Sequence, residues 1–146
     1  MFIAENDIEV RYAETDQMGV VYHANYFIWM ELGRTKLIND LGFHYADMEA
    51  KGILSPVMDI QASYKTPVRY GDKVKVKTWI DMYDGLRVVY GYEVINGKGE
   101  VAATGHSSHV CVKKESFRPI SIKRMFPDWH EAYEKNKKQD ELVSKQ

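Results

Sequence analysis

The chain has 146 residues, 45% of them hydrophobic, and carries 20 Lys and Arg against 21 Asp and Glu for a formal charge of −1. That length suits one domain with a substantial core, and the charge balance excludes a whole-molecule field that would recruit nucleic acid or an anionic membrane. A single cysteine excludes an internal disulfide, while the lack of a leader pattern and of any run of about 18 apolar residues predicts a cytoplasmic protein with no membrane span.

In chain order, Ile8, Val10 and Tyr12 alternate through "IEVRYAE" and predict a strand with one buried face, broken by the turn formers of "TDQMG". From Asn25 to Leu41 the segment "NYFIWMELGRTKLINDL" places Phe27, Met30, Leu37 and Leu41 at helical spacing, with Asn25 as the expected N-cap and Gly42 as the expected stop. Ile28, Trp29 and Leu32 widen the apolar arc until the helix must be enclosed rather than laid on a surface. Gly33 weakens that helix by about 1 kcal/mol relative to Ala, a cost that predicts close approach to a strand. Glu31 and Arg34, three apart, predict an intrahelical ion pair, and in so apolar a helix the pair needs further partners.

"GFHYADMEAKG" reads as a short helix or irregular turn. Four strand-like stretches follow: "ILSPVMDIQASYKT", "DKVKVKTWIDMY", "LRVVYGYEVIN" and "EVAATGHSSHVCVKK". In the second of these Val74, Val76, Ile80 and Met82 fall on one side, and Lys73, Lys75, Lys77 and Asp81 on the other, as in a half-exposed strand. "PVRYGD", "YDGL" and "NGKGE" supply turn chemistry between them. The order predicts an α+β fold whose antiparallel sheet is twisted enough to wrap the long helix. Residues 1–120 form the main domain; 121–146 add a short helix near Asp128 to Lys135 and then a charged, flexible tail.

The chemistry concentrates where the first strand meets the helix. Asp16 stands ahead of a helix start, where it can reach a ligand while the helix dipole keeps it ionised; from the residues alone a turn-forming Asx role is the stronger reading. Gly19 gives that loop the freedom of a positive φ, and Asn25 serves as a cap or as a ligand contact. Cys111, in an alternating stretch, reads as a small buried hydrophobe rather than a nucleophile. The five His, at 23, 44, 106, 109 and 130, include one close pair, His106 and His109, whose odd separation puts them on opposite faces of a strand, so no metal site and no cofactor motif is expected.

The stretch "RYAETDQMGVVYHANYFIWMELGRT" resembles the hotdog-fold acyl-CoA thioesterases of the 4-hydroxybenzoyl-CoA thioesterase type, in particular their YbgC-like branch. The similarity lies in an acid before a Gly-Val-Val-Tyr-His segment, then Asn and Tyr, then the central helix, and it extends more loosely through "DIQASYKTPVRYGD" to about Lys114. It implies a five-stranded antiparallel sheet wrapped around one long helix, and hydrolysis of an acyl-CoA to free acid and CoA without a cofactor. By resemblance Asp16 is the catalytic carboxylate, as nucleophile or as general base for water. The amide of His23 is the oxyanion donor, and the His23 ring orients Asp16 or the water.

The resemblance also implies substrate contacts from Gly19, Val20, Tyr22, Asn25, Tyr26, Ser63, Lys65 and Arg69. Arg87, Lys113, Lys114 and Arg118 join Lys65 and Arg69 as candidates for the CoA phosphates, and Thr66 is a weaker contact. Sheets paired edge to edge imply a homodimer or homotetramer, and a basic rim would suit an acyl carrier protein as a further partner. Two other readings compete. A hotdog hydratase resembles an Asp followed five residues on by His, commonly with Pro between, whereas His23 follows Asp16 by seven and no Pro intervenes. A non-catalytic acyl-CoA or carrier-protein binding module would be expected to lose the carboxylate.

Overall fold

A computed structural model describes residues 1–139. It begins with strand β1 (Ile3–Glu9) and a single 3₁₀ turn (Tyr12–Glu14), followed by the long helix α1 (Asn25–Asp40) and the short helix α2 (Tyr45–Ala50). Strands β2 (Ile53–Leu54), β3 (Val57–Tyr64), β4 (Lys73–Tyr83), β5 (Arg87–Ile95), β6 (Val101–Val110) and β7 (Val112–Lys113) come next, and helices α3 (Ile122–Met125) and α4 (Pro127–Asn136) close the described chain. Five strands make one antiparallel sheet in the order β1-β4-β5-β6-β3, and β2 pairs with β7 at one side. This is the expected hotdog architecture, with α1 lying against β1, β4 and β5.

Two apolar clusters hold α1 to the sheet. In one, Tyr26 and Trp29 pack with Val68, Val74, Val76 and Val94; in the other, Met30 and Leu37 join Ile80, Tyr90 and Tyr92. Gly33 marks the closest approach, since a Cβ there would collide with the Thr78 and Val76 side chains of β4, as its presence in a helix interior led us to expect. The helix stops at Gly42, whose φ of +96° is paired with two capping bonds, Gly42 N–H to Asn39 O at 3.0 Å and Phe43 N–H to Ile38 O at 3.0 Å.

Several local expectations need correction. Strand β1 ends at Glu9 because the chain turns into the 3₁₀ segment, so Val10 is buried while Tyr12 is 76% exposed instead of sharing its face. In β4 the register against β5 shifts between Ile80 and Met82, a bulge that turns Met82 outward and buries Tyr83 in its place. Asn25 does not cap α1. It is the first helical residue, and its side-chain N–H donates to the Glu14 carbonyl at 2.8 Å. Glu31 and Arg34 form no ion pair among the described residues; Arg34 Nη1 turns to the Tyr92 hydroxyl instead, at 3.0 Å.

The C-terminal helix is also more than an appendage. Trp129 and Tyr133 of α4 are buried in the main core, with the Tyr133 and Tyr90 hydroxyls 2.6 Å apart. The last residues of the expected flexible tail, 140–146, lie outside the described residues. No helix among those described is long and apolar enough to cross a membrane.

Candidate active site

The loop ahead of α1 is folded by its own short bonds. Asp16 N–H donates to Val20 O at 2.9 Å, Gly19 N–H to Asp16 O at 3.0 Å, and Gly19 takes a φ of +78°. Asp16 Oδ1 accepts from the Met18 N–H at 2.8 Å, an Asx-type contact that fixes the carboxylate; among the described residues Oδ2 accepts nothing. Both readings of Asp16, turn former and reactive acid, are therefore compatible: one oxygen holds the loop and the other is left over.

Glu14 anchors this loop from beneath. It is 4% exposed and accepts from the Arg11 N–H and from the Trp29 indole N–H, each at 2.8 Å. Its backbone carbonyl takes the Tyr22 N–H at 2.8 Å as well as the Asn25 side chain. Burial pushes its carboxyl pKa up, but the bonds from Arg11 and Trp29 outweigh that and leave it below the usual carboxylate value.

The start of α1 presents unused donors. Asn25, Tyr26 and Phe27 give their N–H groups to the carbonyls of Tyr22, His23 and Ala24, whereas among the described residues the N–H groups of His23 and Ala24 find no acceptor. Such orphan amides at a helix N-terminus form a ready site for a developing oxyanion. The His23 ring rests 4.3 Å from the Tyr22 ring and 6.2 Å from Tyr64, and the Tyr64 hydroxyl donates to the His23 carbonyl at 3.0 Å.

These elements enclose a cavity of about 380 Å³ whose wall includes Asp16, Val20, His23, Tyr26, Tyr64 and Lys65. Six of the residues expected from the sequence thus meet in one place, Thr66 being the sixth, and Gly19 shapes the loop beside them. The others do not line it. Tyr22 is exposed beside the His23 ring, Asn25 is committed to Glu14, Ser63 sits on β3 opposite Thr104, and Arg69 joins the loop only through backbone pairing with Val20. Arg87, Lys113, Lys114 and Arg118 are exposed and also outside the cavity wall.

Glu14 and Tyr64 are the participants that sequence reasoning missed. The available signals were an indole N–H at Trp29 that needs an acceptor once buried, and a Tyr at the end of a strand next to the expected contact Lys65. A wider groove, about 780 Å³, runs over β1 and β4, but its acids face lysines across the strands, as Glu5 faces Lys75 at 3.3 Å. It is a solvated charged face.

Cys111 is buried and its thiol is pushed up to about 11 by that burial, which excludes it as a thiolate nucleophile. His106 is exposed and His109 buried, on opposite faces of β6.

Residues 10–130 match the Thioesterase-like superfamily. The chain belongs to that family. Among its relatives is a provisionally named acyl-CoA thioesterase, YneP of Bacillus subtilis (strain 168), 61% identical over 94% of this chain and 100% of that protein. The crystal structure of the DHNA-CoA thioesterase from Staphylococcus aureus superimposes with a TM-score of 0.90 and 54% identity, covering 92% of this chain and 91% of that one. The acyl-CoA thioester hydrolase YbgC of Escherichia coli O157:H7 is 26% identical over 79% of this chain and 86% of that protein. This member of the Thioesterase-like superfamily is a thioester hydrolase, and its Asp16 loop and α1 N-terminus occupy the segment on which the resemblance was based.

Proposed function

We propose that the protein hydrolyses an aromatic acyl-CoA at the mouth of α1, with Asp16 as the catalytic carboxylate. The observation that carries this reading is the juxtaposition, in one cavity, of the free Asp16 Oδ2 with the start of a helix whose first amides have no acceptor. A carboxylate so placed attacks the thioester carbonyl or takes a proton from the water that does so. In either case negative charge gathers on the carbonyl oxygen, and the His23 and Ala24 N–H groups stabilise it there. The His23 ring, beside Tyr22 and Tyr64 at the cavity wall, orients the attacking group. The sulfur then leaves as the CoA thiolate, which takes up a proton; where Asp16 itself attacks, water cleaves the resulting mixed anhydride to release the acid and restore the carboxylate.

The aromatic substrate class rests on the likeness to the DHNA-CoA thioesterase, and the aromatic walls supplied by Tyr26 and Tyr64 support it. Lys65, at the rim, is placed to meet a CoA phosphate. The protein works as a homo-oligomer in the reducing cytoplasm, where Cys111 remains a thiol. The test is a comparison of kcat/KM across acetyl-, palmitoyl-, benzoyl- and 1,4-dihydroxy-2-naphthoyl-CoA, read by thiol release. The dihydroxynaphthoyl thioester is expected to be hydrolysed best, by at least about tenfold. Preference for the acetyl or palmitoyl thioester would contradict the aromatic assignment, and no thiol release from any of them would remove the hydrolytic one.

A further inference from the structure

We propose that Arg34 is a specificity-determining residue that binds the oxygen-bearing end of an aromatic acyl group whose thioester lies in the Asp16 site of a second copy of the chain. This inference rests on the aromatic acyl-CoA reading above and assigns a role to a part of the molecule that reading leaves unused.

Arg34 stands at one end of a chain of hydrogen bonds. Its Nη1 donates to the Tyr92 hydroxyl oxygen at 3.0 Å; that hydroxyl lies 2.5 Å from the Ser107 hydroxyl, which lies 2.8 Å from His109 Nε2. Burial, and then the Arg34 charge, lower the His109 pKa to about 4, so the ring at the far end is neutral near pH 7. Every group in the relay is used except the guanidinium, which retains N–H donors and has no carboxylate partner among the described residues.

A half-buried, unpaired guanidinium is costly unless something meets it. Arg34 lines a cavity of about 320 Å³ together with Glu31, Thr35, Tyr45, Tyr90 and His109. That volume sits at the small end of the roughly 300–1,000 Å³ typical of ligand pockets: room for a flat ring system, not for a nucleotide. Two tyrosines supply aromatic walls, and a fork of N–H donors suits a phenolic or phenolate oxygen.

The topology explains how such a ring would arrive. Within one chain the Asp16 cavity abuts the C-terminal end of β3, at Tyr64 and Lys65, while the Arg34 cavity abuts its N-terminal end, at Pro56 and Val57. The eight residues of β3 separate these ends by roughly 24 Å at about 3.4 Å per residue, too far for one acyl group. β3 is, however, an edge strand with Val57, Met58 and Tyr64 exposed. If two β3 strands pair antiparallel about a two-fold axis, the Tyr64 end of one lies beside the Val57 end of the other. The Asp16 mouth of one copy then opens toward the Arg34 cavity of its mate.

The experiment compares kcat/KM for 1,4-dihydroxy-2-naphthoyl-CoA and unsubstituted 2-naphthoyl-CoA in wild type, Arg34→Met and Arg34→Lys, with circular dichroism to verify folding. The ratio of the two values should fall about ten- to a hundredfold in Arg34→Met, the worth of a hydrogen bond to a charged group, and by less in Arg34→Lys, which keeps the charge but loses the fork. Arg34→Lys carries the test alone if Arg34→Met does not fold. Hydrolysis of both thioesters with an unchanged ratio in the folded variants overturns the Arg34 assignment and leaves the thioesterase reading standing; no hydrolysis of either by wild type overturns both. Mixed dimers of Asp16→Asn and Arg34→Met subunits decide the sharing between copies. A shared site leaves one intact centre and about half the wild-type rate on the dihydroxynaphthoyl thioester, whereas half of the Arg34→Met rate would show that both residues act within one chain and overturn the arrangement.

Discussion

Glu14 and Asp16, two residues apart, do opposite work with the same functional group. Asp16 keeps an oxygen free at the cavity, while Glu14 spends both oxygens and its carbonyl on tying the 3₁₀ turn, Trp29 and the start of α1 together. Replacing Glu14 with Ala strands the Trp29 and Arg11 N–H groups, at roughly 1–3 kcal/mol per unsatisfied buried donor. A loss of about 2–4 kcal/mol is therefore expected in urea unfolding, and an unchanged midpoint would show that Glu14 is not an anchor. Asp16 was singled out in the sequence by the resemblance of its segment to the thioesterase pattern; from the residues alone it reads as an Asx turn former, and its Oδ1 makes that turn. Glu14 was not, because "YAE" continues the alternation that begins at Ile8 and nothing in it announces a 3₁₀ turn. Arg34 was misread for a related reason: spacing of three suggests Glu31, and only the fold brings the Tyr92 hydroxyl within reach.

At the scale of elements, the sequence disclosed what depends on period and punctuation. The long helix, its stop at Gly42, its contact with a strand at Gly33 and the antiparallel character of the sheet could all be read in that way. The bulge in β4 could not, because "KVKVKTWIDMY" alternates without a break and the shift is set by pairing with β5. Nor could the relay that ties α1 to β5 and β6. That relay carries a pH signature. Burial, and secondly Arg34, hold folded His109 at a pKa of about 4, against an ordinary value of 6.5. Between those values the unfolded chain binds the extra proton, so this contribution to stability is full above about pH 6.5 and is lost as pH falls toward 4. His109→Asn should flatten the stability profile in that window in chemical denaturation series. An unaltered slope would mean that His109 is not held neutral.

For the whole molecule, the two sheet edges are built differently. β1 carries Glu5, Asp7 and Glu9, charges that discourage further strand pairing, whereas β3 exposes Val57, Met58 and Tyr64. Ile28 and Leu32 of α1 are each 47% exposed, so the helix that had to be enclosed is still open on one side in a single chain. A second copy joined along β3 would cover the apolar residues of that edge, whereas Leu32 lies beside Asn6 of β1, at the other edge of the sheet. Light scattering at low micromolar protein should report at least a dimer, and a stable, well-folded monomer at that concentration would contradict the assembly. The sequence of one chain shows which residues are apolar, but which of them a partner covers depends on where the sheet places its edges.

The Asp16 carboxylate carries the proposed chemistry. Asn at this position keeps the oxygen that accepts from Met18 N–H and removes the charge, so the loop should fold unaltered while chemistry fails. Thiol release from 1,4-dihydroxy-2-naphthoyl-CoA by folded Asp16→Asn protein should be at least about a hundredfold slower in kcat than wild type, the loss expected when a positioned acid–base or nucleophilic group is removed. A kcat within about threefold of wild type would mean that the carboxylate of Asp16 is not the group that performs the reaction.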